Sequence, residues 1–211
     1  ICSLNGVSPT PEIRYWNFMN QLVLNYNLNI QLVATESNEY IPSSKRYLDL
    51  LGVKYVLTDN DYVIQDENLN EIYNTNGTRI YHNESAFEKA FTVHNILKSD
   101  GEDTSLKLLQ AEEINLREYA IVESDSDIVI EPSAGIDQVL IKSYHNNSIE
   151  LYCDMKSDGL LVVSDLFYPG WKVYVDGEKA DIVRTDDILR GVYVKEGSHS
   201  VTLVYEPDAV K

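Results

Sequence analysis

The sequence has few cysteines, few basic residues and no long apolar run. Its 211 residues include 2 Cys, 4 Phe and 17 Lys and Arg, against 34 Asp and Glu, which gives a formal net charge of −17. Because binding to a phosphate backbone needs clustered Lys and Arg, the charge excludes nucleic acid as a partner. It also disfavours docking on anionic lipid head groups. No stretch approaches the roughly 20 apolar residues that a membrane helix needs.

The two cysteines, Cys2 and Cys153, stand far apart in the sequence. Their spacing fits no zinc-binding pattern, so we expect no structural metal from them. One alternative is a single disulfide that closes a long loop in an oxidising compartment. The other is a pair of unrelated thiols, which the apolar strand pattern around Cys153 favours.

The chain opens on Ile1-Cys2-Ser3, without an initiator Met or a signal peptide. We therefore expect it to be a piece of a longer protein.

The first half of the sequence mixes helical and strand patterns. Apolar residues recur at three- and four-residue steps in residues 9–26, and Ser43 or Ser44 can cap a short helix that ends at Gly52. Asp103 is a candidate cap for a helix through residues 105–110. Strands are predicted at residues 53–58, 62–66, 70–74, 78–82 and 90–95.

The second half reads as a succession of short strands. Asp176-Gly177 is the strongest hairpin pattern, because both turn residues need a positive φ. Strands are predicted at residues 120–122, 127–130, 138–144, 148–153, 160–165, 172–175, 180–184, 189–194 and 198–205. The sequence therefore predicts an α+β protein, with a mixed α+β subdomain over residues 1–115 and an antiparallel β-sandwich over residues 116–211. A jelly-roll or immunoglobulin-like sandwich is expected, with a barrel as the alternative.

Acidic pairs are the first candidates for chemistry. Asp125 and Asp127 form an Asp-x-Asp pattern, which can hold a divalent cation and a diphosphate. A solvated turn between strands is the favoured interpretation for this pair and for Asp186-Asp187. His82 and His94 flank one segment and can meet across a hairpin, although neither belongs to a metal-binding pattern. No catalytic motif is present, and we expect no cofactor, no metal and no catalytic residue.

The most distinctive segment surrounds the tight reversal at Pro169-Gly170. Tyr168, Trp171 and Tyr174 cluster there, and an exposed aromatic platform can stack on a sugar ring. These three residues are the candidates for glycan contact. The competing interpretation is that Trp171 fills the sandwich core while the turn joins two sheets.

This segment resembles the C-terminal extracytoplasmic part of bacterial YfhO-type membrane proteins. The resemblance is carried by residues 168–179 (YPGWKVYVDGEK), 189–194 (LRGVYV) and 197–207 (GSHSVTLVYEP), with a second match at residues 50–58. A weaker match runs from residue 79 to residue 91. There Glu84, Phe87, Glu88 and Lys89 replace the Asn-Pro and Leu-Pro-Arg-Ala usual in the family, so no role of that arginine is carried over.

The resemblance implies a fragment of a multi-pass, glycosyltransferase-like protein that uses polyprenyl-phosphate sugars and glycosylates cell-wall polymers such as lipoteichoic acid. It implies that the catalytic carboxylate lies in an early loop between membrane helices, which is not in this chain. The expected role is then a non-catalytic extracytoplasmic domain that caps the membrane part or positions substrate. Its expected partners are the membrane-embedded remainder and a cell-wall polymer or lipid-linked sugar. The alternatives are a free-standing secreted glycan-binding module and a soluble hydrolase.

Overall fold

The computed structural model describes residues 13–25, 42–59, 63–124, 130 and 135–207. Most of the described residues lie in strands, and no helix among them is long and apolar enough to cross a membrane. The elements are α1 (Ile13–Asn25), α2 (Pro42–Leu50), β1 (Tyr55–Asp59), β2 (Leu69–Thr75), β3 (Thr78–Asn83), β4 (Ala90–Val93), β5 (Asn95–Ser99), α3 (Glu102–Gln110), β6 (Tyr119–Glu123), β7 (Gln138–His145), β8 (Ser148–Met155), β9 (Gly159–Leu166), β10 (Trp171–Val175), β11 (Glu178–Ala180), β12 (Val183–Thr185), β13 (Leu189–Val194) and β14 (Gly197–Tyr205).

The described strands form three sheets. A three-stranded sheet has the order β1-β3-β2, a five-stranded sheet the order β11-β10-β14-β8-β7, and a six-stranded sheet the order β4-β9-β13-β12-β6-β5. Within these sheets β5 and β6 run parallel, and the other pairs are antiparallel. The protein is therefore mostly β, and the predicted α+β class describes it only in part.

The strand β9, which lies between β4 and β13, is buried on both faces along most of its length, and this explains its unbroken apolar run. Leu160 and Val162 belong to a first core cluster together with residues of all three helices and the three-stranded sheet. Leu161 and Val163 belong to a second cluster that the strands of the five-stranded sheet share. Successive side chains of a strand point to opposite faces. The six-stranded sheet therefore lies between the two cores.

The five-stranded sheet buries only one of its faces. In β8 the residues Ile149, Leu151, Cys153 and Met155 are buried, whereas the residues between them are more exposed. Cys153 is fully buried in this second core. Cys2 lies outside the described residues, so the choice between a disulfide and two separate thiols stays open.

Several predicted boundaries need correction. Residues 63–66 form no strand, because Asp66 Oδ1 accepts a hydrogen bond from the Asn68 amide at 2.9 Å and the chain turns before β2. The strand predicted at residues 90–95 breaks at His94, and the one predicted at residues 180–184 is interrupted between β11 and β12. α3 is preceded by Gly101 without a side-chain cap, so the prediction for Asp103 is wrong. Most of the strand predicted at residues 127–130 lies outside the described residues.

The six-stranded sheet takes strands from both sides of the predicted boundary at residues 115/116. β4 and β5 come before it, whereas β6, β9, β12 and β13 come after it. A division into two separately folding subdomains stays a prediction.

Candidate functional site

The Pro169-Gly170 reversal joins β9 of the six-stranded sheet to β10 of the five-stranded sheet. Gly170 has φ 99°, a left-handed conformation that side chains rarely adopt. A Cβ at Gly170 would lie 2.8 Å from Tyr205 Cε2 and 3.1 Å from the Pro207 Cα. The Gly170 carbonyl also accepts a hydrogen bond from the Glu206 amide at 2.7 Å. The reversal is therefore locked against the C-terminal end of β14.

Trp171 begins β10 directly after this reversal. It pairs with Tyr205 of β14, and the two ring centroids are 5.6 Å apart. The half-buried Trp171 packs against the second core, so neither sequence-based interpretation describes it fully. It closes the edge of the core and also lines a cavity.

The guanidinium of Arg190 covers the Trp171 ring. The guanidinium carbon lies 3.8 Å from the ring centroid, and Arg190 Nε donates a hydrogen bond of 2.8 Å to the Leu166 carbonyl. A planar guanidinium stacks well on an indole face. Together these contacts hold the Arg190 side chain at the wall of the cavity.

The cavity beside Trp171 has a volume of about 210 Å³. Tyr168 lines this cavity, and 48% of the Tyr168 surface is exposed. Phe167 contributes a third ring beside those of Trp171 and Tyr168, and the Arg184 guanidinium carbon lies 4.4 Å from its centroid. The lining residues run from Phe167 to Lys172 and from Lys179 to Ile182, and Arg190 completes them.

The predicted aromatic cluster is divided between two faces. Trp171 and Tyr168 line the cavity, whereas Tyr174 does not. Trp171, Val173 and Val175 all pack on the second core, so Tyr174, which alternates with them in β10, faces away from it. Tyr174 lies beside Thr202 and Lys179 on the outer face of the five-stranded sheet. Contact of any of the three residues with a glycan stays a prediction.

The family model described as bacterial membrane protein YfhO matches residues 98–211, which is more than half of the 211-residue chain. The chain belongs to the YfhO family. The matched stretch includes every residue that lines the cavity beside Trp171. No curated protein and no solved structure matches this chain. The family match confirms the resemblance to YfhO-type proteins that the sequence predicts.

Arg190 belongs to this site but is not among the residues that the sequence predicts for it. It lies in the segment LRGVYV that carries the family resemblance, and it is only 5% exposed. An arginine within an otherwise apolar strand was the available indication, because arginine is rarely buried without a partner. Burial lowers the pKa of Arg190 from its usual range, and the charge of Asp165 opposes that shift.

Asp165 is the carboxylate next to Arg190, and it serves several partners at once. Its Oδ2 lies 3.8 Å from Arg190 Nη1, and its Oδ1 lies 2.5 Å from Lys89 Nζ. The Tyr144 hydroxyl donates to the same carboxylate, at 3.0 Å from both oxygens. The negative charge of Asp165 is therefore divided between Arg190 and Lys89.

Asp186 and Asp187 do not form the solvated turn that was expected. They are 0% and 1% exposed and adopt φ angles of 48° and 71°. Asp186 Oδ1 accepts the Ile121 amide at 2.8 Å, which continues the pairing of β12 with β6. Burial raises the pKa of Asp186 to about 7 and that of Asp187 to about 6. Arg14 opposes the shift at Asp187 by its charge and by a hydrogen bond.

The remaining sequence candidates do not gather into a site. His82 lies in β3 with its ring centroid 5.4 Å from that of Tyr55, whereas His94 Nε2 lies 2.7 Å from Asp137 Oδ2. The two histidines therefore have separate partners, with His82 in the three-stranded sheet and His94 in the bend between β4 and β5. Asp125 and Asp127 lie outside the described residues. Within the described ranges no group of three or more His, Cys, Asp or Glu is arranged to hold a metal ion.

A second cavity of about 510 Å³ lies between α2 and the segment that joins α3 to β6. Its lining is mostly charged and polar, and several of the charged side chains already have partners. Lys45 Nζ lies 2.8 Å from Asp49 Oδ2, and the Arg117 guanidinium lies 4.2 Å from the Phe87 ring. The cavity beside Trp171 is the better candidate, because it combines an exposed aromatic ring with a buried cation.

Proposed function

We propose that this YfhO-family chain is a non-catalytic extracytoplasmic domain of a membrane-embedded, glycosyltransferase-like protein. Its role is to hold a sugar of a cell-wall polymer or of a lipid-linked donor at the cavity beside Trp171. The observation that carries the proposal is the combination of Trp171, the half-exposed Tyr168 and Arg190 around one cavity. Ligand sites of proteins combine apolar or aromatic walls with a few fixed polar groups in this way.

The architecture supports this role. We propose that the six- and five-stranded sheets, which share the second core cluster, form a β-sandwich, and that its β9–β10 corner presents the cavity. A corner between two sheets is a rigid place for a binding group. Tyrosine and tryptophan rings provide flat apolar faces together with a polar edge, which suits the two sides of a sugar ring.

The family and the charge support the proposed location. The matched family is one of bacterial membrane proteins. The net charge of −17 disfavours contact with anionic lipid head groups, so a domain held off the lipid surface by its parent protein fits the composition. The family match favours such an attached domain over a free-standing secreted module.

The test is binding of the purified chain to a panel of cell-wall polymers and neutral and charged glycans. Tyr168→Ala removes an exposed ring from the cavity, and Tyr174→Ala removes a ring from the opposite face of the same region as a matched control. We expect saturable binding that Tyr168→Ala weakens about tenfold, a loss typical of one buried aromatic contact, while Tyr174→Ala leaves it unchanged.

Trp171→Ala extends the test, provided that thermal unfolding shows a folded protein. Binding weakened by Tyr174→Ala alone would move the contact to the outer face of the five-stranded sheet. Failure of every glycan and polymer to bind would leave the domain with a structural role only.

A further inference from the structure

His94 is the single residue between β4 and β5, which are the two edge strands of the six-stranded sheet. Six strands laid flat would span about 24 Å, whereas one residue carries the chain over at most about 7 Å. The sheet therefore curls until its two edges meet at His94, as closed sheets do. Whatever fixes the His94 side chain also fixes this closure.

Both ring nitrogens of His94 face oxygen atoms that can only accept a hydrogen bond. Nε2 lies 2.7 Å from Asp137 Oδ2, and Nδ1 lies 3.0 Å from the carbonyl oxygen of Asp158. A neutral imidazole carries one donor, whereas the imidazolium carries two. The protonated ring is therefore the form that satisfies both contacts at once.

The two partners of His94 belong to segments of the five-stranded sheet. Asp137 directly precedes β7, and its side chain is only 3% exposed. Its other oxygen, Oδ1, accepts a hydrogen bond from the Lys156 amide at 2.8 Å. Asp158 lies in the turn between β8 and β9. One imidazolium thus joins the closure of the six-stranded sheet to the start of β7 and to the end of β8.

The other charged groups around this ring leave His94 as the ion-pair partner of Asp137 among the described residues. Lys156 attracts Asp137 over a longer distance, but its Nζ lies 2.5 Å from Asp154 Oδ2. Lys195 Nζ lies 2.6 Å from the carboxylate of Asp158. The nearby Cys153 thiol stays neutral, because burial, aided by the charge of Asp137, raises its pKa to about 12.

The Ser157 hydroxyl allows the turn to accept either form of the ring. Its oxygen lies 3.0 Å from His94 Nδ1 and 3.3 Å from the Asp158 carbonyl oxygen. When Nδ1 carries a proton, the hydroxyl donates to the carbonyl. When Nδ1 has lost its proton, the hydroxyl can rotate and donate to the nitrogen. Asp137 has no such alternative, since a buried carboxylate that loses its cation is costly.

We infer that His94, Asp137 and Ser157 form a proton-operated clamp at the closure of the six-stranded sheet. The imidazolium holds the Asp137 carboxylate in the protein. When His94 gives its proton to water, Asp137 loses its countercharge and turns out into solvent, which is close because the neighbouring Ile136 is 89% exposed. Histidine changes its charge between about pH 5 and 8, so the clamp is closed in mild acid and opens in mild alkali.

The clamp lies before the first residue of β9, whereas the cavity beside Trp171 follows its last residue. The inference therefore goes beyond the proposed function and does not depend on the ligand proposed there.

The experiment is hydrogen exchange of the purified chain, followed by NMR from about pH 5.5 to about pH 8.5. The Lys156 amide is the reporter, because it donates to Asp137. We expect its protection factor, which corrects for the faster intrinsic exchange in alkali, to fall at least about tenfold over this range. The Asn68 amide donates to Asp66 Oδ1 at 2.9 Å in another sheet and should keep its protection.

Four variants assign the effect. His94→Gln keeps a donor for Asp137 and removes the titration, and Asp137→Asn removes the buried charge, so each should make the Lys156 protection factor independent of pH. His199→Gln changes a histidine that bonds Asp176 elsewhere and should leave the fall in place. Ser157→Ala should deepen the loss of protection in alkali about threefold, as one missing hydrogen bond does, and leave the value in acid unchanged.

The wild-type ring provides a measurement that needs no variant. The ¹⁵N shifts of His94 should show a proton on both nitrogens at about pH 5.5. A neutral ring at that pH in the folded protein would overturn the clamp. It would also be overturned if the Lys156 amide kept its protection at high pH, if the Asn68 amide lost protection to the same extent, or if the fall persisted in His94→Gln.

Discussion

Arg14 of α1 donates a hydrogen bond from Nε to Asp187 Oδ1 at 2.7 Å, across 173 residues of sequence. The same guanidinium donates from Nη1 to Glu123 Oε2 at 3.0 Å. The side chain of Asp187 is fully buried, and that of Arg14 is 13% exposed. One arginine thus fastens the first helix to the end of β6 and to the turn between β12 and β13.

Replacing Arg14 with Met is expected to destabilise the protein strongly. The change leaves Asp187 buried without its cation, and breaking a buried pair in this way typically costs about 3–5 kcal/mol. Urea denaturation at pH 7.5 measures the free energy of unfolding. Lys54→Met is the control, because it breaks the exposed Lys54–Glu88 pair and should change that free energy little. Similar small losses in both variants would contradict a structural role of the Arg14 contacts.

The stability of the protein should fall as the pH rises from about 4 to about 7. The pKa values of Asp186 and Asp187 are raised by burial from 3.8 to about 7 and about 6. Between these limits the folded state binds more protons than the unfolded state, so the free energy of unfolding decreases with pH. Each such proton contributes a slope of up to about 1.4 kcal/mol per pH unit.

Asp186→Asn tests the source of this slope. The variant keeps the shape of the side chain and removes its titration, so the fall in stability between pH 4 and 7 should become shallower. His199, whose pKa is raised chiefly by its hydrogen bond with Asp176, contributes in the same direction near neutral pH. His199→Gln therefore serves as the control. A slope that vanishes in His199→Gln and persists in Asp186→Asn would disprove the assignment.

Cys153 should be almost unreactive in the folded protein. Its side chain is fully buried in the second core, and burial raises the pKa of its thiol to about 12. The thiolate is the nucleophile in alkylation, so the reaction requires opening of the core that exposes the Cys153 thiol to water. The measurement is the rate of iodoacetamide labelling of a Cys2→Ser variant at pH 8, with and without 8 M urea. Labelling of the folded variant at the rate seen in urea would show that the core around Cys153 is not closed.

Local patterns predicted the strands well and the relations between them poorly. The hairpin at Asp176-Gly177 has both residues at positive φ, 52° and 84°, as the turn chemistry requires. The alternation in β8 likewise indicates which of its faces is buried. By contrast, the parallel pairing of β5 with β6 joins strands on either side of the expected boundary, and it depends on α3 acting as the crossover between them.

The same limit applies to the candidate site. The sequence predicts a cluster of aromatic residues near Pro169-Gly170. In the structure, strand alternation places Tyr174 on the opposite face of β10 from Trp171. Arg190 is nineteen residues after Trp171 in the sequence, and the pairing of β13 with β9 brings the two side chains into contact. Asp186 and Asp187 looked like a solvated turn, because acidic residues in a strand connection usually are exposed. Their burial depends on Arg14 and on β6, which are distant in sequence.

Gly170→Ala should destabilise the corner that forms the cavity. The added methyl would lie 2.8 Å from Tyr205 Cε2, and the backbone already has φ 99° at this position. Strain of this kind together with a clash costs about 2–3 kcal/mol. The control is Gly77→Ala, where φ is 82° but no atom lies within 4 Å of the added methyl, so only the smaller backbone strain of about 1 kcal/mol remains. Thermal unfolding of both variants measures the difference. Equal losses would mean that the contact of the reversal with Tyr205 adds nothing, and that the cavity wall is free to shift when the corner is changed.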